Sequence, residues 1–330
     1  MRTASTRPLV LLLTHSADFY TIDRVADALT RRGARPVRLD TDRFPRDVKL
    51  SARLEQRGLR HVIADGGTRV EADEVRAVWA RRLWTPQLDA NLDERFRAMC
   101  TRESVAALDG FLDGLHAAHW VNNTRRTEAA ENKPRQLRLA ANAGLRIPRT
   151  LITNDPQEAR NFFEELDGRV VVKLLKPLSV NMDASSVFVY TSDVRREDLA
   201  DAATLRHSPV VFQERIDKAR ELRIAWVDGQ HFTGAIDASR STRGQTDWRL
   251  AAPDECSWQR DEIPADVARR LEALMRELGL VYGAVDLIRT PAGEYVFLEV
   301  NAGGEWGMLE RDLGLAISEA LADALLANNS

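Results

Sequence analysis

Hydrophobic and polar residues form alternating blocks along the first third of the chain, and these blocks predict strands and helices in turn. Apolar residues spaced three and four apart over Tyr20–Arg32 indicate a helix that ends at Gly33. The segment Leu92–His119 has a mainly helical composition. Strands that alternate with helices predict an α/β domain with a parallel sheet. The predicted strands are Pro8–Thr14, Val37–Leu39 and Val75–Leu83.

Beyond residue 125 the pattern favours a mixed α/β arrangement with more short strands. A helix runs through Asn142, and Pro156 is tolerated in the first turn of the next helix. The turn Asp228-Gly229, between two apolar runs, is a strong signal for a β-hairpin. Further strands are predicted at Ile147–Thr153, Arg169–Leu175, Val187–Tyr190, Val210–Gln213, Leu222–Val227 and His231–Ile236. The last segments are a helix over Pro264–Leu278, a hairpin over Ala284–Val300 and one amphipathic helix over Leu309–Leu326.

Length and composition limit the class of protein. The 330 residues suggest two or three domains, and 44% hydrophobic with 29% charged residues is typical of a globular protein. A net charge of −3 and a pI near 6.1 give no general attraction to nucleic acid. The apolar run Leu9–Leu13 is too short to span a membrane, and Cys100 and Cys256 cannot form a disulfide framework. We therefore expect a cytoplasmic protein with neither nucleic acid nor membrane as a partner.

Only five of the 47 basic residues are lysines, so each lysine raises the question of what a compact charge does there. Lys173 ends an apolar strand, and Lys133 lies at the start of a helix. A charge at the inner end of a buried strand must find an anion. Phosphate and a structural carboxylate are both candidates for that anion.

The hairpin over Ala284–Val300 carries the sharpest candidate site. If its turn is a two-residue loop at Ala292-Gly293, then Asp286 and Glu299 face each other across the two strands, and Asn301 projects from the same face. Two opposed acids on largely apolar strands repel each other, and a cation removes the conflict. Oxygen ligands of this kind suit Mg²⁺ with phosphates completing its shell. A solvated sheet face is the alternative, and the argument depends on the assumed turn.

A second candidate segment joins an apolar strand to a polar stretch, and it contains Gln213, Glu214, Arg215, Ile216, Lys218 and Glu221. Backbone groups at a strand exit can bind an adenine edge, and a nearby carboxylate can accept ribose hydroxyls. On the Asp228-Gly229 hairpin, Arg223 shares a face with Glu221 and lies opposite Gly234, which would leave space above the arginine. An ordinary surface ion pair is the alternative.

Taken in their order along the chain, the two lysines, the strand-exit segment, Arg223 and the acidic hairpin resemble the ATP-grasp ligases over the C-terminal two-thirds of the chain. The N-terminal third and two later segments are similar to the microviridin-type graspetide synthetases, which are ribosomal-peptide macrocyclases of that superfamily. The segments that carry this similarity are 14–16 (THS), 40–45 (DTDRFP), 78–83 (VWARRL), 247–249 (DWR) and 301–306 (NAGGEW). The chain differs at Glu305, where a glutamine is expected.

The resemblance implies an ATP-grasp fold with three parts: an N-terminal α/β (pre-ATP-grasp) domain at 1–124, a central domain at 125–212 and a C-terminal domain at 213–330 with the Mg-ATP site. It also implies roles for individual residues. Lys133 and Lys173 would contact ATP phosphates. Gln213, Glu214, Arg215, the Ile216 backbone, Lys218 and Glu221 would form the adenine and ribose site. Asp286, Glu299 and Asn301 would hold two Mg²⁺ ions. Arg223, Arg249 and Arg240 would face the γ-phosphate and the substrate carboxylate, with Asp247 as a candidate base.

The implied reaction joins side chains of a precursor peptide. An Asp or Glu side chain is converted to an acyl phosphate with release of ADP, and a Ser/Thr hydroxyl or a Lys amine then closes an ester or amide ring. The partner would be a peptide with a leader and an acidic Thr/Glu-rich core, with the leader bound near Ser179–Val189. We also expect a homodimer. Two alternatives are a carboxylate–amine ligase for free amino acids or peptide termini, similar to glutathione synthetase or a glutamate-adding enzyme, and a nucleotide-binding regulator without turnover.

Overall fold

The computed structural model describes residues 7–56, 58–175, 191–200, 202–237 and 257–327. Its N-terminal part consists of β1 (Leu9–Thr14), α1 (Thr21–Arg31), β2 (Arg35–Asp40), β3 (Lys49–Glu55), β4 (Gly58–Asp65), β5 (Thr68–Glu71), β6 (Val75–Ala80), α2 (Glu94–Gly114) and β7 (His119–Val121). A parallel sheet has the strand order β2-β1-β6-β7. Strands β3, β4 and β5 form a separate antiparallel sheet. Every residue of β1 is buried, as expected for a strand covered on both faces.

The middle of the chain contains α3 (Thr124–Ala130), α4 (Lys133–Asn142), β8 (Thr150–Thr153), α5 (Pro156–Glu165), β9 (Val170–Lys173), β10 (Ser192–Asp193) and β11 (Val210–Glu214). The four strands form an antiparallel sheet in the order β10-β9-β11-β8. Helix α5 begins after Asp155, whose side chain accepts a hydrogen bond from the Gln157 N–H and caps the helix. Phe162 and Phe163 of α5 pack on Val170 and Phe212 of the sheet.

The C-terminal part contains β12 (Arg220–Val227), β13 (Gln230–Ile236), β14 (Gln259–Arg260), α6 (Ala265–Leu278), β15 (Tyr282–Arg289), β16 (Tyr295–Asn301), α7 (Gly307–Leu313) and α8 (Ile317–Leu326). Its antiparallel sheet has the order β14-β13-β12-β15-β16. Helices α4 and α6 cover one face of this sheet, where Leu137 and Leu271 lie among the buried side chains. The chain also has short 3₁₀ helices at Thr41–Arg43, Ala72–Glu74, Glu197–Leu199 and Ala202–His207.

One hydrophobic core joins the two ends of the chain. The apolar side chains of α8, such as Leu321, are buried with Val25 and Leu29 of α1 and with Leu12 of β1. At the surface, Arg32, which directly follows α1, pairs with Glu319 of α8. The opposite face of the parallel sheet is covered by α2 and by the small β3-β4-β5 sheet.

The structure confirms most predicted elements and corrects several. The single helix expected over Leu309–Leu326 is wrong, because Gly314 adopts a left-handed backbone (φ +64°) and separates α7 from α8. Strand β6 ends at Ala80 rather than Leu83, and β7 occupies the end of the segment expected to be helical. The sheet β3-β4-β5 was not predicted. The strand expected at Val187–Tyr190 lies outside the described residues. The three-domain division stays a prediction.

Among the described residues, no helix combines the length and the apolar character needed to cross a membrane.

Candidate active site

Charged side chains form a row across the C-terminal sheet. The backbone register places Arg223 of β12 opposite Asp286 of β15, and Asp286 opposite Glu299 of β16. Directly opposed residues in an antiparallel sheet project from the same face, so the three side chains are neighbours. The predicted pairing of Asp286 with Glu299 is confirmed.

The turn assumed for that pairing is wrong. Thr290 and Glu294 are hydrogen-bonded to each other across a three-residue loop that ends at Gly293, whose φ of +83° favours glycine. This loop shifts the strand register by one residue relative to a two-residue turn. A bulge between Asp286 and Leu287 shifts it back, because Leu287 pairs with Phe297 and not with Leu298. The bulge therefore cancels the register shift of the loop, and Asp286 and Glu299 face each other. The spacing of the residues in the sequence does not reveal either shift.

Arg223 binds Asp286 through two nitrogen atoms of its guanidinium group. The Nε–Oδ1 distance is 2.7 Å and the Nη2–Oδ2 distance is 2.9 Å, which is the fork geometry of a strong arginine–carboxylate pair. Burial raises the pKa of Asp286 to about 6, although the adjacent guanidinium opposes the shift. The space expected above Gly234 is filled, because a Cβ there would lie 2.4 Å from Leu309 Cδ2.

Glu299 contacts the first lysine of the predicted site. Lys133 Nζ forms an ion pair with Glu299 Oε2, and Asn301 Nδ2 donates to Glu299 Oε1 at 3.1 Å. Burial raises the pKa of Glu299, but the positive charges of Lys133 and Lys173 outweigh it and hold the pKa below its usual value. Glu299 is therefore ionised and bound by cationic groups of the protein.

The position of Lys133 follows from how α4 is attached to the sheet. Asn132 caps the helix by accepting from the Arg135 N–H at 2.9 Å, so Lys133 is the first helical residue. One turn later the buried Gln136 bonds both the N–H and the C=O of Val300, at 3.0 and 2.8 Å. Helix α4 is thus fixed to β16 directly beside Glu299. Sequence reasoning missed Gln136, although its place three residues after Lys133 puts it one turn along the same helix.

Lys173 lies at the end of β9, where its Nζ donates to Gln213 Oε1 on the neighbouring strand β11 at 2.8 Å. Gln213 in turn donates to Thr150 Oγ1 at 3.0 Å. Burial lowers the pKa of Lys173, and the nearby Lys133 acts in the same direction. Both predicted phosphate lysines therefore lie in the electrostatic field of Glu299, and an added anion would stabilise their charges.

The predicted adenine and ribose segment connects β11 to β12. Glu214 Oε2 accepts from the Arg149 N–H at 3.0 Å, and the Ile216 side chain is buried against Ile288 and Val296. Lys218 Nζ donates to Glu221 Oε2 at 2.8 Å. These residues therefore form one continuous edge between the central and C-terminal sheets. Arg215 is exposed and lies apart from this edge, with its Nη1 3.4 Å from Asp193 Oδ1.

Comparison with known families agrees with this arrangement. A family model of the MvdD pre-ATP-grasp domain matches residues 9–128, and one of the RimK-like ATP-grasp domain matches residues 130–325. The chain belongs to the ATP-grasp ligase family. The predicted fold and the predicted enzyme class are thereby confirmed.

Two solved ATP-grasp structures are similar over nearly the whole chain. Macrocyclase MdnB from Microcystis aeruginosa is 46% identical, with 97% of this chain and 100% of that chain covered and a TM-score of 0.84. An ATP-grasp ligase associated with ribosomal peptides in Chryseobacterium gregarium was solved with ADP and with a leader and core peptide. It is 29% identical, with 96% of each chain covered and a TM-score of 0.88.

A curated relative is similar over a shorter stretch. Glutathione synthetase of Synechococcus elongatus is 31% identical over 191 residues, which are 55% of this chain. The chain spans about half the length of that relative, since 54% of it is covered.

The oxygen donors of this ATP-grasp site fit a hard divalent cation. Among the described residues there is no cluster of three or more His, Cys, Asp or Glu side chains that could hold a metal ion. A cation here would therefore depend on Asp286, Glu299 and Asn301 together with oxygens from a ligand. Mg²⁺ is bound in that way, by one or two carboxylates plus substrate phosphates. Two protein cations already contact the two carboxylates, which shows that this face attracts positive charge.

Glu305, where the ATP-grasp resemblance leads us to expect glutamine, has several partners. Its Oε2 lies 2.5 Å from Arg81 Nη2, and its Oε1 accepts from the N–H groups of Trp306 and Gly307 at 3.0 and 2.7 Å. The main-chain oxygen of Glu305 accepts from Arg223 Nη1 at 3.1 Å. Glu305 therefore links the N-terminal sheet to the charged row.

Four predicted features of the ATP-grasp site lie outside the described residues. These are Arg240, Asp247, Arg249 and the leader-binding segment Ser179–Val189.

Proposed function

We propose that this ATP-grasp ligase is a macrocyclase for a ribosomally made precursor peptide. The observation that carries the proposal is the 46% identity to a macrocyclase over 97% of this chain and 100% of that chain. The match includes the pre-ATP-grasp domain as well as the ligase domain. The charged row of Arg223, Asp286 and Glu299 supports it, since the guanidinium group can contact phosphate oxygens and the two carboxylates can hold a cation that offsets their charge.

The phosphates of ATP would be bound by Lys133 and Lys173, whose amino groups share the electrostatic field of Glu299. Asp286, Glu299 and Asn301 would hold two Mg²⁺ ions, which would bridge phosphate oxygens and offset their charge. Binding there requires Lys133 and Arg223 to give up part of their contact with the two carboxylates. Both would then be free to face the phosphates.

Adenine would lie against the edge between β11 and β12. The backbone of Ile216 with Gln213 and Glu214 would contact the base, and Glu221 would accept the ribose hydroxyls. Lys218 holds the Glu221 carboxylate at 2.8 Å, which fixes its orientation before any ligand binds.

The substrate chemistry has two steps. A side-chain carboxylate of the peptide attacks the γ-phosphorus of ATP, which forms an acyl phosphate and releases ADP. A Thr or Ser hydroxyl then attacks the acyl carbon, which forms an ω-ester and releases phosphate, and a Lys amine would give an ω-amide. Arg223, with Arg249 and Arg240, would stabilise the negative oxygens. Asp247 is our candidate to accept the hydroxyl proton.

The peptide partner would carry a leader, bound at about 179–189, and an acidic Thr/Glu-rich core. The Chryseobacterium ligase in complex with a leader and a core peptide supports a partner of this kind. A homodimer stays a prediction.

The direct test is mass spectrometry of a matched precursor peptide incubated with enzyme and Mg-ATP. We expect the loss of one water molecule per ring. Lys173→Ala should abolish the dehydration and leave the protein folded, because the side chain would act on phosphate rather than on the core. Lys49→Ala is the matched control, since Lys49 is an exposed lysine at the start of β3. An unmodified peptide under conditions in which the enzyme turns over ATP would contradict the proposal.

A second candidate is a ligase for free amino acids or peptide termini. The match to glutathione synthetase over about half of that protein favours it. Release of ADP on addition of single amino acids, with no peptide present, would support this candidate against the macrocyclase.

A further inference from the structure

Two consecutive arginines, Arg81 and Arg82, follow β6. Arg81 has the shorter contacts with the oxygen atoms around it. The Arg81 side chain is fully buried, and it contacts Gly303 O at 2.8 Å, Thr21 Oγ1 at 3.0 Å and Glu305 Oε2 at 2.5 Å. The contacts of Arg82 are longer: Nε lies 3.3 Å from Gly303 O, and Nη2 lies 3.6 Å from Glu305 Oε2. The two guanidinium groups therefore share one carboxylate, and Arg81 holds it more closely.

Arg82 also keeps an open side. Its side chain is 40% exposed, while that of Arg81 is 0% exposed. Burial of the remainder, together with the positive charge of Arg81, lowers the pKa of Arg82. A guanidinium group in this position would gain from an additional anion on its open side.

Arg82 is linked to the charged row through Glu305. Glu305, which Arg82 approaches, accepts a hydrogen bond from Arg223 through its main-chain oxygen, and Arg223 grips Asp286. Arg82 also follows the carboxyl end of β6 in a parallel sheet, the edge at which open α/β sheets bind ligands. Exposed apolar side chains lie at the same edge, on Leu83 and on Phe19 after β1.

We propose that Arg82 is a substrate-binding residue that pairs with a carboxylate side chain of the acidic peptide. The contacts of Arg81 with Glu305 and Gly303 hold the backbone after β6, and Arg82 follows directly with longer contacts to the same two residues. The inference rests on the proposed function and adds one specific contact between enzyme and peptide.

The test compares Arg82→Ala and Arg82→Lys with wild type in steady-state assays that vary the peptide and ATP separately. Loss of a charge-assisted hydrogen bond should raise the peptide KM about 10- to 100-fold in Arg82→Ala, with the ATP KM unchanged. Arg82→Lys should lie between that variant and wild type, because it retains the charge but not the fork. The matched control is Arg76→Ala, an exposed arginine on β6, the strand that precedes Arg82, and this variant should behave as wild type.

A binding measurement identifies the anion on the substrate. Peptides in which one core Glu is replaced by Gln are titrated against wild-type enzyme and Arg82→Lys with a non-hydrolysable ATP analogue. One such peptide should lose affinity for wild type and should no longer distinguish the two enzymes. If every Gln peptide still distinguishes them, the proposed pairing is wrong. These measurements remain decisive even if Arg82→Ala does not fold.

The outcomes separate the two proposals. If wild type does not dehydrate any matched peptide, the macrocyclase proposal fails and the role of Arg82 fails with it. If wild type is active and Arg82→Ala has an unchanged peptide KM, only the role of Arg82 is overturned. A raised ATP KM with an unchanged peptide KM would assign Arg82 to the nucleotide and would also overturn it.

Discussion

Gly303 lies where the N-terminal sheet meets the loop that follows β16, and its replacement by alanine is the sharpest structural test. A Cβ at this position would lie 2.5 Å from the main-chain oxygen of Arg81, well inside the 3.4 Å at which ordinary contact begins. Both sides of this contact are backbone, so neither can turn away as a side chain would. The loop must therefore separate from the end of β6.

Two costs add up in Gly303→Ala. Overpacking of this kind costs about 1–3 kcal/mol. Separation also lengthens the 2.8 Å hydrogen bond from Arg81 Nη1 to Gly303 O, and bonds to charged groups contribute about 1.5–3 kcal/mol. We expect the free energy of unfolding to fall by about 2.5–6 kcal/mol. The catalytic efficiency for peptide should fall as well, because Glu305 and Arg223 are attached to the same loop.

Urea unfolding followed by tryptophan fluorescence measures the first effect. Gly110→Ala is the matched control, because Gly110 lies on the exposed side of α2 with no atom within 4 Å of an added Cβ. That variant should be more stable than wild type by about 0.5–1 kcal/mol, since alanine is the better helix former. If Gly303→Ala unfolds within about 0.5 kcal/mol of wild type, the close approach of these two backbones is wrong.

Three other variants test separate parts of the fold. Asn122→Ala removes four hydrogen bonds between a buried amide and the backbone of Val281, Tyr282 and Ala302, two donated and two accepted. We expect the free energy of unfolding in urea to fall by about 3 kcal/mol or more. Leu321→Ala should cost about 2–5 kcal/mol because the side chain is fully buried between α8 and α1; a loss below about 1 kcal/mol would contradict this packing. His15 is buried and stacked on Trp84, and burial lowers its pKa, so the unfolded chain binds the proton more tightly. Wild-type stability should therefore fall as the pH drops below about 6.5, and His15→Phe should weaken that dependence.

The alternating pattern of the chain predicts most strands and helices outside the β3-β4-β5 sheet, because strand and helix periods are local properties. The residues of the charged row were also found from sequence, since two acids on apolar strands conflict with burial unless a cation is present. The strand register that pairs these residues was predicted from a turn that the structure does not have. Its register depends on the bulge at Leu298, and a bulge of this kind leaves no separate signal in the spacing.

The contacts that sequence reasoning missed join residues far apart in the chain. Gln136 is bonded to Val300, Arg81 to Glu305, and the Asn122 amide to Tyr282. Each is a polar side chain whose buried position is set by tertiary packing rather than by its neighbours in sequence. The two arginines Arg81 and Arg82 are adjacent in sequence, and sequence alone does not tell which of them is buried.

Burial of α8 with α1 and β1 has a consequence for the order of events during synthesis. The first sheet and its helix leave the ribosome early, yet the apolar face between them is covered by residues of Ile317–Leu326. Until those residues have been made, Ile22, Val25 and Leu29 lack part of their cover. A nascent chain with exposed apolar surface is prone to association. The N-terminal part therefore remains prone to association until the end of the ligase domain has been synthesised.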